Sequence, residues 1–542
     1  MPQPELHPRA NIADGWRFRS IELKPVYFSL HFLSRLWVSP SLELDEAEQV
    51  LLTQALSLGE GLQPPLYSWL QWVIFKLTGG PSVFGLALFK ALLLGLTYWC
   101  VYKAASLVLP RERAVAAALG LALFPQILWE SQRDLTHTVL LVACVAALWW
   151  LSIYLLTQLC LSASSQSPRK TLRLNGLALM AGFLLAAGML SKYSFVIVGF
   201  TMGFALAWTL VSERLLLAKD LVQFIAIAVF AATALFAPHG SWLLENMGSV
   251  QASVARKLGA QDSGAWLASL GQSFQSLVQA ALGFIALWLV VSLGVYLYSR
   301  LLKGVTTPAL ETEVGVQQEP HHVARTQATV MLFMKRYFAL LGCALLMLIF
   351  LSDASQFKDR WMQPFLFLLP LAALLALRHQ PVLSLRLSTS YRWFALLLMA
   401  LTLLLMPLRT LLGPSLGAFS RLNIPHDQLA QTLKNDFPDQ QLWVAEHRLL
   451  AGNLALYSKA YNWRIYETQQ ARALANDLPW SQMIYVEKVH LEEPLKVGLE
   501  SQPNGARLYR FPQGVEFRVY QAQTPCAGFE ACFPFLKPSQ TP

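Results

Sequence analysis

Apolar residues fill most of the first 407 positions in long blocks separated by short polar or basic breaks. The blocks at 83–107, 113–128, 134–158, 173–190, 193–211, 220–237, 276–298, 335–351, 362–377 and 391–407 each approach the length that crosses a bilayer as an α-helix. An earlier block, Pro25–Val38 (PVYFSLHFLSRLWV), is short and carries His31 and Arg35. It reads as a tilted or protein-buried first span, with an interfacial helix as the competing reading. Counting it, the pattern predicts a polytopic α-helical membrane protein with about 11 transmembrane helices. Beyond about residue 412 the pattern changes to dispersed charges and brief alternating runs, QLWVAEH, SQMIYVEKV and VEFRVY, after an amphipathic HDQLAQTLKNDF. Residues 412–542 therefore read as a small α/β domain. The polar stretch 304–330 has no apolar periodicity and contains Pro308 and Pro320, so it reads as a linker. Its His321–His322 pair has no second ligand cluster nearby and is not read as a metal site.

Composition agrees with a membrane-embedded body. The chain of 542 residues is 55% hydrophobic and only 14% charged, with a mean hydropathy of +0.43. Its net charge of +10 does not point to nucleic acid, because basic residues collect in cytoplasmic loops for topological reasons. With a cytoplasmic N terminus, the inside loops hold Arg111 and Arg113, Arg169, Lys170 and Arg173, Arg214 and Lys219, and later Arg300, Lys303, Arg325, Lys335 and Arg336, then Arg378, Arg386 and Arg392. An odd number of spans then carries the C-terminal domain outside. The predicted organisation is a cytoplasmic segment 1–24, a transmembrane domain 25–411 with a first outside loop at 40–82 and a cytoplasmic linker at 304–330, and a C-terminal domain 412–542. Residues 1–24 contain Glu5, Asp14 and Glu22 and do not resemble a cleavable leader. An oxidising location for the tail makes Cys526 and Cys532 candidates for a disulfide.

Candidate chemistry gathers on the predicted outside face. The first loop opens with the adjacent acids Asp45 and Glu46 and continues to the rigid turn Gln63, Pro64, Pro65, Leu66, Tyr67. There Trp69, Trp72 and Phe75 recur at helical spacing, as in a helix lying at the interface. Helix capping and a structural turn are the plain alternatives for the acids and the prolines. Arg133 and Asp134 precede the fourth span, and Asp134 and His137 begin it, at a depth where ionisable groups face a bundle interior. A surface ion pair between Arg133 and Asp134 is the competing reading. Lys192 lies in the outside turn Ser191-Lys192-Tyr193, where it either snorkels or binds a phosphate. Arg360, in Lys358-Asp359-Arg360-Trp361 before Pro364, has the fork geometry that suits phosphate.

These motifs, in this order, resemble the bacterial protein O-mannosyltransferase-like and aminoarabinose-transferase-like membrane glycosyltransferases of the GT-C architecture. Leu44-Asp45-Glu46-Ala47, Gln63-Pro64-Pro65-Leu66-Tyr67, Ser191-Lys192-Tyr193 and Asp359-Arg360-Trp361 carry the resemblance, which covers about residues 25–407. It implies a polyprenyl-phosphate-linked sugar donor and transfer on the periplasmic face of a bacterial inner membrane. It also implies that Asp45 stands near the reacting centre with Glu46 and Asp134 as companion acids, and that Lys192, with Arg360 and Arg133, binds donor phosphate. Gln63, Pro64, Pro65, Tyr67 and His137 would shape the loop and position the acceptor. The chain lacks the central repeat domain of the eukaryotic protein mannosyltransferases, so a lipid or surface-glycan acceptor is expected. No cofactor is expected, and a divalent metal stays open because acidic side chains are present without a diagnostic cluster. The competing functions are a transporter or flippase for a lipid-linked saccharide, disfavoured by the lack of an evident inverted repeat, and a noncatalytic membrane subunit.

Overall fold

The structure is a computed structural model that describes residues 23–59, 63–161, 168–248, 250–252, 266–301, 321–351, 356–473, 483–489, 506–511, 515–521 and 533. Among these residues, eight helices are long and apolar enough to span a bilayer. They are α4 (Val83–Ser106) and the helices His137–Leu161, Pro168–Ser191, Phe195–Ser212, Ala218–Glu245, Trp266–Leu301, His321–Leu351 and Pro381–Leu412. All eleven predicted blocks fall on helical segments, but three are not simple spans. The first, α1 (Leu23–Val38), has 16 residues, about 24 Å at 1.5 Å per residue, short of the hydrocarbon thickness. The block predicted at 113–128 is a broken element. Helix α5 (Arg111–Leu119) runs into a 3-10 turn and then, past Pro125, into a π-helical turn at Gln126–Glu130, with a bend of 79° between the two limbs. Pro125 has no N–H to continue the ladder, which accounts for the break. The block predicted at 362–377 divides into Gln363–Leu366 and Leu369–Ala376, with Pro364 and Pro370 each in a first turn.

The linker expected at 304–330 is corrected at its C-terminal end. His321 already begins a helix that runs unbroken to Leu351, with Val330, Phe333 and Met334 buried in the bundle core. A span starting as a polar, solvent-directed turn of helix lacks the apolar periodicity that marks its membrane portion. The rest of that stretch, like Cys526 and Cys532 and the N-terminal segment, lies outside the described residues.

The tail contains a five-stranded sheet in the order β2-β1-β3-β5-β4. Strands β1 (Leu442–Ala445), β2 (Arg464–Glu467) and β3 (Met483–Val489) are parallel, while β5 (Val515–Gln521) runs antiparallel to both β3 and β4 (Arg507–Phe511). Trp443 and Ala445 of β1 point into the same core as Ile484 and Val486 of β3 and Phe517 of β5, the alternation expected of strands with one covered face. That core extends beyond the tail. It includes Leu42, with Ala47, Val50 and Leu51 of the first-loop helix α2 (Leu44–Leu52), Phe75 of α3 (Leu66–Thr78) and Leu86 of α4. The first loop and the tail therefore share one end of the helix bundle.

Three polar contacts fix the junction. Ser39 and Ser41 donate through their hydroxyls to the carbonyls of Leu422 and Ile424, each at 2.6 Å, and the Leu42 N–H donates to Asn453 Oδ1 at 2.8 Å. The tail helix Arg448–Ala455 packs along α2 closely enough that a methyl group on Gly452 would overlap the backbone of Ala47. Helix Pro381–Leu412 ends beside the boundary anticipated near 411, and the core of the tail reaches past that point to include α2.

Candidate active site

Helix α2 begins with a capping box in which Glu43 and Glu46 satisfy each other's backbone N–H groups. This start sets the directions of three successive acids. Glu46 turns inward and is fully buried, where Arg35 Nη2 lies 2.8 Å from one oxygen and Lys90 Nζ 3.3 Å from the other. Burial raises its pKa, but the two cations outweigh that penalty and hold the Glu46 carboxyl down at about 2. Arg35 also donates to the carbonyls of Ser39 and Ser41, both at 2.8 Å, and so fastens the end of α1 to the start of the loop. The charge that weakened the first span in the sequence is thus a structural clamp.

Asp45 turns the other way, into a cavity of about 560 Å³. Gln63, His137, Lys192 and Arg360 line the same cavity, so five of the anticipated side chains meet there. Lys358, Trp361 and Tyr193 join them, with Lys358 Nζ 6.0 Å from the Trp361 ring centroid. Lys192 stands in the turn between helices Pro168–Ser191 and Phe195–Ser212 and donates to Thr138 Oγ1 at 2.8 Å. Arg360 lies in the 3-10 turn Asp359–Met362. Asp359 accepts from the Arg360 N–H and from the Gln126 amide, both at 2.7 Å, which anchors this turn to the bend after α5.

Asp134 supports Asp45 from behind. Its Oδ1 accepts the Asp45 backbone N–H at 2.9 Å and its Oδ2 lies 3.3 Å from Arg421 of the tail, which also approaches Glu43 at 3.6 Å. Arg421, and not Arg133 as in the competing reading, is the arginine paired with Asp134. Arg133 does not line the cavity; burial raises the carboxyls of Glu43 and Glu130, and the Arg133 charge offsets part of that rise. Burial, followed by the charges of Asp134 and Glu48, pushes the Asp45 carboxyl up to about 7, against the opposing pull of Lys90 and Lys192. A carboxyl tuned to that range is suited to proton transfer.

The remaining anticipated residues build walls. Pro65 caps α3, and Tyr67 is buried between the rings of Phe89 and His137, with centroids at 4.9 and 5.4 Å. Pro64 is likewise buried in the turn and does not line the cavity. His137 Nε2 meets the Gln49 side-chain amide at 3.0 Å, and Ser68 donates to the same Gln49 at 2.9 Å. Two lining residues were missed in the sequence, Glu48 and Arg448. Glu48 lies one helical turn after Asp45 and was legible from its spacing, whereas Arg448 comes from a tail helix with no motif. Among the described residues, no group of three or more His, Cys, Asp or Glu is arranged to hold a metal ion.

A polytopic bundle in which a carboxylate of raised pKa shares a cavity with several cations, at one end where an α/β tail docks, has the parts of a membrane-embedded transferase. Residues 62–242 match the dolichyl-phosphate-mannose-protein mannosyltransferase family. The lipopolysaccharide core galacturonosyltransferase RgtB of Rhizobium johnstonii is 30% identical over 438 residues, covering 80% of each chain. The lipopolysaccharide core galacturonosyltransferase RgtA of the same organism is 27% identical over 440 residues, 80% of this chain and 79% of the relative. Among solved structures, ArnT from Cupriavidus metallidurans in the apo state aligns over 94% of this chain and 98% of that one, at 13% identity and a TM-score of 0.41. The chain belongs to the GT-C glycosyltransferase family, and it is a multi-pass membrane enzyme that transfers a sugar.

Proposed function

We propose that the enzyme transfers a sugar from a polyprenyl-phosphate-linked donor to a lipid or cell-envelope glycan acceptor on the periplasmic face of a bacterial inner membrane. The observation that carries this reading is that Asp45, Lys192 and Arg360 line one cavity. The donor's phosphate sits against the two cations, while an acceptor hydroxyl lies against Asp45. The acceptor oxygen attacks the anomeric carbon, the bond from that carbon to the phosphate oxygen breaks, and Asp45 takes the hydroxyl proton. A single displacement of this kind inverts the anomeric centre. The leaving phosphate keeps the electron pair as an already acidic anion, so it needs cationic stabilisation more than a proton donor, and one principal carboxylate suffices. The names of the curated relatives support a lipopolysaccharide core acceptor and a hexuronic acid as the sugar.

The test is to incubate purified enzyme with undecaprenyl-phosphate-galacturonic acid and lipopolysaccharide core lacking that sugar. Release of polyprenyl phosphate coupled to a mass increase of one hexuronic acid on the core is expected. Movement of the lipid-linked sugar across a vesicle membrane without bond formation would establish a flippase instead.

A further inference from the structure

The cavity cations Lys192, Lys358 and Arg360 come from the turn before helix Phe195–Ser212 and from the segment before Pro364, the two carboxylates, Asp45 and Glu48, come from α2, and a fourth cation, Arg448, comes from the tail. On a helix, residues three apart share a face with Cβ atoms roughly 5–6 Å from each other, a spacing on the scale of one pyranose ring. Glu48 is well shielded, its side chain 18% exposed, and it is held by an ion pair to Arg448 Nη1. Arg448 is held in turn by Glu467 at the end of β2, with Nε to Oε2 at 3.2 Å. An arginine between two carboxylates is fixed in direction and fixes both of them.

We infer that Glu48, held by Arg448 of the tail, forms the acceptor subsite: it accepts hydrogen bonds from hydroxyls of the acceptor saccharide beside the hydroxyl that Asp45 deprotonates. Three observations support this division. Lys192 and Arg360, to which the donor phosphate is assigned, come from elements other than the helix that carries Asp45 and Glu48. Glu48 lines the cavity with its side chain shielded, although a surface glutamate on an amphipathic helix would turn to solvent. The tail, which is the only part of the described residues with a sheet, reaches the cavity through Arg448, so the acceptor wall is made where the soluble domain meets the membrane bundle. The inference rests on the donor assignment made above, and it adds Glu48 as a binding residue and Arg448 as a positioning residue.

The groups facing Asp45 define a second readout. They are Asp134 from the start of the fourth span, Glu48 on α2 itself, Lys90 on α4, Lys192 in its turn and Arg448 from the tail. Glu48→Gln removes a negative neighbour, so the acid limb of the rate profile moves to lower pH. Arg448→Met removes the cation that partly neutralises Glu48, so the limb moves to higher pH.

The experiment uses the full chain in detergent or nanodiscs with purified lipopolysaccharide core as the acceptor probe and undecaprenyl-phosphate-galacturonic acid as the donor probe. Acceptor binding is followed by tryptophan fluorescence without donor, and donor binding without acceptor. Glu48→Gln is expected to weaken acceptor binding at least tenfold with donor binding within twofold of wild type, and Arg448→Lys to weaken acceptor binding less than Arg448→Met. Preserved donor binding shows that the variants are folded. Unchanged acceptor binding in Glu48→Gln, an equal loss of both ligands, or acid limbs that shift in the same direction in Glu48→Gln and Arg448→Met would each overturn the inference. Because binding is read without turnover, acceptor binding that depends on Glu48 in an enzyme that does not consume this donor would overturn the donor assignment and leave the subsite standing.

Discussion

The backbone N–H of Asp45 donates to Oδ1 of Asp134 at 2.9 Å, across 89 residues of sequence. The contact orients the start of α2 and brings a second negative charge behind the first. Asp134 does not line the cavity that Asp45 lines, so on the proposed reading it acts on the site through Asp45.

Asp45→Asn nearly preserves size while removing charge and basicity. Transfer should fall about 100-fold or more, the scale of a positioned general base, with donor binding retained. Quench-flow or endpoint assays on folded, correctly inserted protein check this, and near-normal transfer would shift the base to Glu48.

The pH dependence has a definite sign. Asp45 acts as a base only when ionised, and its carboxyl sits at about 7, so kcat/KM should rise with pH through that region and level off above it. In Asp134→Asn the neighbouring negative charge is gone while the amide oxygen still accepts the Asp45 N–H, so the acid limb should move to lower pH. A limb that stays in place would remove Asp134 from the tuning of Asp45.

Lys192→Ala removes a charged contact to donor phosphate, worth about 1.5–3 kcal/mol, or roughly ten- to hundredfold in donor affinity. Saturation curves with the polyprenyl-phosphate sugar measure it, and Arg360→Ala should show a smaller effect. Donor saturation and turnover unchanged in Lys192→Ala would take that lysine out of the site.

Glu46→Gln should behave as a stability variant. It strands Arg35 and Lys90 as buried cations, at a cost of about 3–5 kcal/mol. Thermal unfolding should drop sharply while turnover per folded molecule changes little. The wild-type contribution of Glu46 is complete above its unfolded value near 4.5 and is lost as pH falls toward 2, because its folded pKa is depressed. A large loss of turnover with unaltered melting would return Glu46 to the reacting centre.

Reporter fusions test the membrane orientation. Fusions after residues 110, 165 and 305 should read cytoplasmic, and those after 60 and 430 periplasmic. The shared core of α2 and the tail requires the last two to agree with each other whatever the number of spans.

Hydropathy located every bundle segment because lipid and bundle interior both demand unbroken apolar blocks. It could not separate a straight span from the bend at Pro125 or from the short helices around Pro364 and Pro370, since each is apolar throughout. Asp45, Lys192 and Arg360 were legible because charges at membrane boundaries are few. Glu46 misled because the sequence shows two adjacent acids, while a helix turns neighbours about 100° apart and sends one to the core and the other to the cavity. Glu48 could have been found from its spacing to Asp45, but Arg421 and Arg448 were hidden, because partnerships between a first loop and a tail some four hundred residues away leave no local pattern.

The meeting of Gly452 with Ala47 carries a consequence for how such enzymes can diversify. A tail helix that meets the backbone of α2 this closely tolerates nothing larger than glycine at 452, so the soluble tail is keyed to this membrane body by shape before any side chain is compared. Grafting a tail from a relative would succeed only where that relative preserves the glycine. Acceptor preference, if borrowed by recombination, would have to travel as a matched pair of first loop and tail.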